Sequence, residues 1–182
     1  MARIIVDKDI AVPMRDGTVL RADVYRPDSP EKLPVLLSRT PYNKSLPGLF
    51  LNLDPFRAAA AGYNVVFQDC RGRFASQGTF TCFEDEAADG YDTIEWMARQ
   101  PWANGTVGTF GPSYNGATQW LAGREPGLTS RASASPMARS ANISTIGRAG
   151  RFSAMTALPP KRDSPHRRAA CLWRPRPGLW RR

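Results

Sequence analysis

The residues best suited to chemistry lie in one stretch, Thr106-Val-Gly-Thr-Phe-Gly111-Pro-Ser113-Tyr114-Asn115-Gly116-Ala-Thr-Gln-Trp120. A serine hydroxyl attacks a carbonyl well only when a base takes its proton and nothing crowds its approach. A sharp turn between a strand and a helix presents it that way, but needs a strained backbone at the serine and small residues where the two elements pass. Gly111 and Gly116 are those small residues, and the stretch reads as a short buried strand, a nucleophile elbow at Ser113 and the start of a helix. The helix would leave its first amides unpaired, so the N–H of Tyr114 is available to a developing oxyanion. The common form of the elbow has its second glycine two residues after the serine, where this chain has Asn115, a residue that tolerates left-handed backbone. On the local pattern alone, an ordinary turn in a parallel α/β sheet reads equally well.

The elements that must position Ser113 precede it. Arg3 to Val6, Ile10 to Met14 and Thr18 to Tyr25 are short apolar or alternating runs, with the turn signature Arg15-Asp-Gly17 between the last two; they read as antiparallel strands at one edge of a sheet. Pro34 to Ser38 and Tyr63 to Asp69 are continuous apolar runs, as expected of strands covered on both faces. Asp54 to Ala61 reads as a helix with Asp54 as N-cap, Pro55 in the first turn and Gly62 as stop. Glu84 to Gln100 is the clearest helix, with Ala87, Tyr91, Ile94 and Ala98 at helical spacing. Its acidic start, Glu84, Asp85, Glu86 and Asp89, reads as a solvated helix N-terminus rather than a metal site. Alternating strands and helices imply a parallel α/β sheet, with ligands bound beyond the carboxyl ends of its strands. Tyr42, just past one such strand, is placed to reach that edge, although a lone tyrosine there is more often a packing aromatic. Arg71 and Arg73, in a glycine-rich loop, read as partners of a local carboxylate such as Asp69.

Length and composition bound the rest. The 182 residues suffice for one domain with a real core, 42% of them are hydrophobic, and no apolar run reaches the roughly 18 residues of a membrane span. The N-terminal residues show no apolar h-region before a small-residue cleavage site, so a cytoplasmic protein is expected. Cys70, Cys82 and Cys171 form no C-x-x-C pair and read as free thiols; no metal or cofactor pattern is present. The net charge of +9 is not spread over the chain: from Arg148 to Arg182 ten basic residues face Asp163 alone, whereas the charges before Arg148 cancel. The expected organisation is therefore a core over residues 1–147 and a basic, Pro/Arg-rich, disordered tail over 148–182.

Between about Val12 and Gln119 the chain resembles the N-terminal part of the α/β-hydrolase core of the cocaine esterase/X-prolyl dipeptidyl aminopeptidase family, the CocE/NonD hydrolases. The matching residues are Val12-Pro-Met-Arg-Asp-Gly-Thr-Val-Leu20, Arg39-Thr-Pro-Tyr42, Gly62-Tyr-Asn-Val-Val-Phe-Gln-Asp-Cys-Arg-Gly72 and Gly111-Pro-Ser-Tyr-Asn-Gly-Ala-Thr-Gln-Trp120. The resemblance implies that Ser113 is the acylating nucleophile and that the Tyr114 N–H and the Tyr42 hydroxyl are its oxyanion donors. The family's own Gly-x-Ser-Tyr-x-Gly elbow has its second glycine where Gly116 stands.

A hydrolase of this fold takes its Asp or Glu and its His from strands after the elbow. The one histidine here, His166, sits beside Asp163 in a proline- and arginine-rich tract with no strand or helix pattern to fix it, so the general base and acid are unassigned. The segment from about Arg148 onward reads as the product of a frameshift or an equivalent truncation, after the elbow of an α/β-hydrolase fold. The expected function is cleavage of small-molecule esters or X-Pro peptides through an acyl-enzyme on Ser113, weakened or abolished in this chain by the missing triad members. The alternative is a non-catalytic module whose basic tail, with Trp173 and Trp180 among arginines, contacts nucleic acid or an anionic membrane. The hydrolase reading expects neither of those partners and leaves the oligomeric state open.

Overall fold

A computed structural model of the chain describes residues 3–125 and 132–133. Six strands form one mixed sheet: β1 (Ile4–Pro13), β2 (Val19–Pro27), β3 (Leu33–Thr40), β4 (Asn64–Asp69), β5 (Ala103–Thr109) and β6 (Ala132–Ser133), in the spatial order β1-β2-β4-β3-β5-β6. β1 pairs antiparallel with β2, and β2 antiparallel with β4. β4, β3, β5 and β6 run parallel, so the carboxyl ends of the central strands open on one edge. The two expected N-terminal strands are one bulged strand: the register with β2 shifts between Asp7 and Ile10, and Asp9 takes φ 54°.

Alternation explains why the central strands are apolar throughout. Val35 and Leu37 of β3 join Val66 of β4 and Val107 of β5 in a core with Ile94, Met97 and Ala122. Leu36, between them in sequence, points to the other face with Val65, Phe67, Phe110, Leu49 and Ala58. Two helices, α2 (Glu86–Ala98) and α3 (Tyr114–Ala122), cover the first face, and α1 (Pro55–Ala60) with a 3-10 turn over Pro47–Leu51 covers the second. The α1 start is as the sequence implies: the Asp54 carboxylate accepts from the amides of Phe56 and Arg57 at 2.9 and 3.2 Å.

Two expectations need correction. Among the described residues Cys70 is a free thiol, enclosed in the core, whereas Cys82, at a half-buried loop position, is not free. The acidic start of α2 is solvated only in part: Glu84 and Asp85 are exposed, whereas Glu86 and Asp89 turn inward. The expectations placed on the segment from Arg148 onward, including His166, Asp163, Cys171, Trp173 and Trp180, lie outside the described residues. No described helix is long and apolar enough to cross a membrane.

Leu37 lies on the strand that leads to Tyr42 and is 1% exposed. Leu37→Ala should lower the unfolding free energy by about 2–5 kcal/mol, read as a lower urea midpoint at unchanged slope.

Candidate active site

Ser113 is the last residue of the turn between β5 and α3, immediately before Tyr114. It is exposed and takes φ 57°, ψ −125°, a conformation that non-glycine residues hold only where the surroundings impose it. Its side chain makes no capping bond to α3. Gly111 precedes it at φ 122°, and a Cβ there would stand 2.7 Å from the Cβ of Asn115. A Cβ on Gly116 would sit 3.4 Å from the carbonyl oxygen of Gly111, an ordinary contact, so the close approach in this turn rests on Gly111.

Side-chain amides hold this turn from beneath. The Gln119 amide donates to the carbonyls of Gly111 (3.0 Å) and Asn115 (2.9 Å), while its oxygen accepts from the Thr109 hydroxyl at 3.1 Å. The Asn115 amide donates to the hydroxyl of Ser38 on β3 at 3.1 Å. The sequence analysis gave Asn115 only a backbone reading and Gln119 none; their places two and six residues past the serine, four apart and so on one helix face, are the signal that was there to find.

Tyr42 follows β3 and is about half exposed. Its ring stands edge-on to that of Tyr114, with centroids 6.4 Å apart, so the structure brings together the two tyrosines named from the sequence. Tyr114 is the first residue of α3, and its amide has no intrahelical acceptor. Its side chain is buried, stacked on Phe83 at 4.5 Å, and its hydroxyl donates to Glu86 Oε1 at 3.0 Å while accepting from the Phe83 amide at 3.2 Å. Burial, and then the Glu86 charge, push this hydroxyl above the ordinary tyrosine range, which keeps it a donor.

Behind the tyrosines lies a buried ion cluster. Arg39, 3% exposed, is 2.8 Å from Glu86 Oε2 and 3.7 Å from Asp89, and its Nε donates to Gln68 at 2.8 Å. Arg71 is bidentate to Asp89 at 3.0 and 2.6 Å and reaches Asp16 at 2.7 Å. This corrects the expectation that Arg71 and Arg73 pair with Asp69: Arg71 takes carboxylates from the helix and the β1–β2 turn, and Arg73 donates to the Pro41 carbonyl at 2.9 Å. Asp69 is held instead by Lys44. Burial works against the Arg39 charge, yet the surrounding negative groups, Glu86 foremost, raise its pKa, so the guanidinium keeps its charge. Removing one member leaves the other uncompensated, so Glu86→Ala should destabilise the fold by about 3–5 kcal/mol, measured by urea unfolding against the wild-type chain.

A strand, a strained exposed serine and a helix at the carboxyl edge of a largely parallel sheet define an α/β-hydrolase fold with its nucleophile elbow. Residues 16–164 match the model for the X-Pro dipeptidyl-peptidase (S15) family, and the chain belongs to that family. A cocaine esterase of Rhodococcus sp. (strain MB1 Bresler) is 46% identical over 121 residues, which are 64% of this chain and 21% of the relative. A CocE/NonD family hydrolase of Staphylococcus aureus superposes with a TM-score of 0.58 at 35% identity, covering 65% of this chain and 24% of the other. An α-amino acid ester hydrolase superposes at 0.59 and 31% identity, covering 73% and 25% respectively. The chain thus spans about a fifth of the length of the curated relatives it matches.

Proposed function

We propose that this chain carries the acylation apparatus of a serine hydrolase that cleaves esters or X-Pro peptides. The observation that carries the reading is the backbone of Ser113, held at φ 57° on an exposed residue at the start of α3, with its hydroxyl free of the helix cap. Strain of that kind costs about 1–3 kcal/mol and persists at sites of function. In this reading Ser113 Oγ adds to the acyl carbonyl as a base takes its proton, the leaving group departs with that proton, and the oxyanion of the tetrahedral intermediate takes hydrogen bonds from the Tyr114 amide and the Tyr42 hydroxyl. The edge-on contact of the two tyrosine rings supports a shared site. The names of the esterase relatives favour small esters, and the family's own name favours peptides with proline in the second position.

Activation of Ser113 needs a histidine oriented by a carboxylate. His166, the one imidazole in the 182 residues, stands in a proline- and arginine-rich tract with no strand or helix pattern to fix it, so this chain alone is inferred to acylate slowly. A biotinylated fluorophosphonate, followed by peptide mass spectrometry, tests the assignment. Labelling should fall on Ser113 and vanish in Ser113→Ala, and Tyr42→Phe should slow it by about 10²- to 10³-fold, the usual effect of losing one oxyanion donor. Labelling that survives Ser113→Ala would sink the reading.

A further inference from the structure

The turn that carries Tyr42 is pinned by more charge than a surface turn requires. Lys44 is 4% exposed, and its ammonium lies 2.7 Å from Asp9, 3.4 Å from Asp69 and 3.7 Å from Asp23. Asp69, at the carboxyl end of β4, is fully buried; Oδ1 accepts from the Lys44 amide at 2.7 Å, and Oδ2 accepts from the Ala75 amide at 3.3 Å. Arg73, from the loop after β4, holds the Pro41 carbonyl at 2.9 Å. Within the turn the Tyr42 amide donates to Thr40 Oγ1 at 3.1 Å, and Asn43 takes φ 82°. Backbone atoms on both sides of Tyr42 are therefore fixed to the end of β4, while the Tyr42 side chain itself is left open.

The neighbouring strands are shaped to complete the cluster. The β1 bulge that puts Asp9 at φ 54° delivers its carboxylate to Lys44, and its amide donates to Asp23 at 3.0 Å. Lys8 adds a second cation, 2.8 Å from Asp23. Of these ions Lys44, Asp23 and Asp69 are buried, at a desolvation cost that apolar side chains of similar volume would avoid while securing a turn at least as well. What a hydrogen-bonded ion cluster adds is one defined geometry, since each donor and acceptor has a fixed partner. A donor that stabilises an oxyanion must be held in place before the reaction, because a hydroxyl that reorients loses most of its benefit.

We propose that Asp69, acting with Lys44, is a positioning residue for Tyr42: the pair ties the Tyr42 turn to the end of β4 and so fixes where the Tyr42 hydroxyl stands relative to Ser113. The proposal rests on the reading of Tyr42 as an oxyanion donor. Asp69 touches no substrate and acts only through Tyr42, so its removal must matter less once the Tyr42 hydroxyl is gone.

Two readouts on the full chain test this. The first is the rate of Ser113 phosphonylation by a fluorophosphonate, in which Oγ bonds to phosphorus and fluoride leaves. Asp69→Asn should slow it about tenfold in the wild-type background and less than twofold in Tyr42→Phe, since residues acting through one another are non-additive. The second is the 19F NMR spectrum of the chain grown with 3-fluorotyrosine, with the Tyr42 resonance assigned by its loss in Tyr42→Phe. Asp69→Asn should shift or broaden that resonance and leave that of Tyr63, at the other end of β4, in place. Arg73→Gln, which frees the Pro41 carbonyl without stranding a buried charge, should move the same resonance and slow phosphonylation about threefold, and it serves if Asp69→Asn does not fold. Equal slowing in both backgrounds, or an unmoved Tyr42 resonance, overturns the proposal. If the wild-type chain is not phosphonylated at Ser113, the hydrolase reading fails and the Tyr42 resonance alone decides whether Asp69 positions the turn.

Discussion

Arg39 is the interaction on which the site depends. Its guanidinium sits at the end of β3, almost sealed from solvent, and joins Gln68 of β4 to Glu86 of α2. Glu86 in turn accepts the Tyr114 hydroxyl, so one carboxylate links the end of β3 to the helix that starts at the elbow. A cation in that position cannot be left without its acids, because an unpaired buried charge is worth several kcal/mol against the fold. The start of α2 is therefore drawn inward, and Thr93 two turns further on bonds Gln68 at 3.0 Å. The distance between strand ends and helix starts, which sets the shape of the candidate site, is fixed by ionic contacts and not by apolar packing alone.

Backbone strain gathers around the same edge. Asn43, Phe74, Phe83 and Ser113 all have positive φ without being glycine, and each lies in a connection that follows the carboxyl end of β3, β4 or β5. Loops that only connect elements have no reason to hold such conformations, whereas a constellation drawn from several strand ends must aim particular side chains. Asp9, the remaining case, lies in the β1 bulge, which supplies Lys44 with a carboxylate. The strain thus maps the elbow, the Tyr42 turn, the loop that stacks on Tyr114 and the bulge that supports them.

Much of this was legible in the sequence, and the parts that were not have a common cause. The alternating and continuous apolar runs mark β2, β3 and β4, and Asp54-Pro55 marks the start of α1, because those signals are local and follow from period and capping. The glycine spacing around Ser113 marks the elbow for the same reason. Glu86 and Asp89 were misread as a solvated helix start since acidic residues there satisfy the helix dipole equally well, and only the fold brings Arg39 and Arg71 to them. Asp69 was paired with the wrong cation because Lys44 and Arg71 lie in loops whose direction the sequence does not state. The β1 bulge and β6 were missed as well: one extra residue in a strand, and a two-residue strand, leave almost no periodic trace.

Strain and its support can be weighed against each other at the elbow. Holding Ser113 at φ 57° costs about 1–3 kcal/mol, and a net protein hydrogen bond contributes about 0.5–1.5 kcal/mol. Gln119 and Asn115 together make the bonds to Gly111, Asn115, Thr109 and Ser38 that close the turn, enough to offset the strain without any contribution from Ser113 itself. That independence matters chemically. A serine whose own hydroxyl capped the helix would have to break that bond before attacking a carbonyl, whereas here the amides beneath carry the turn and the Ser113 hydroxyl makes no bond to the helix.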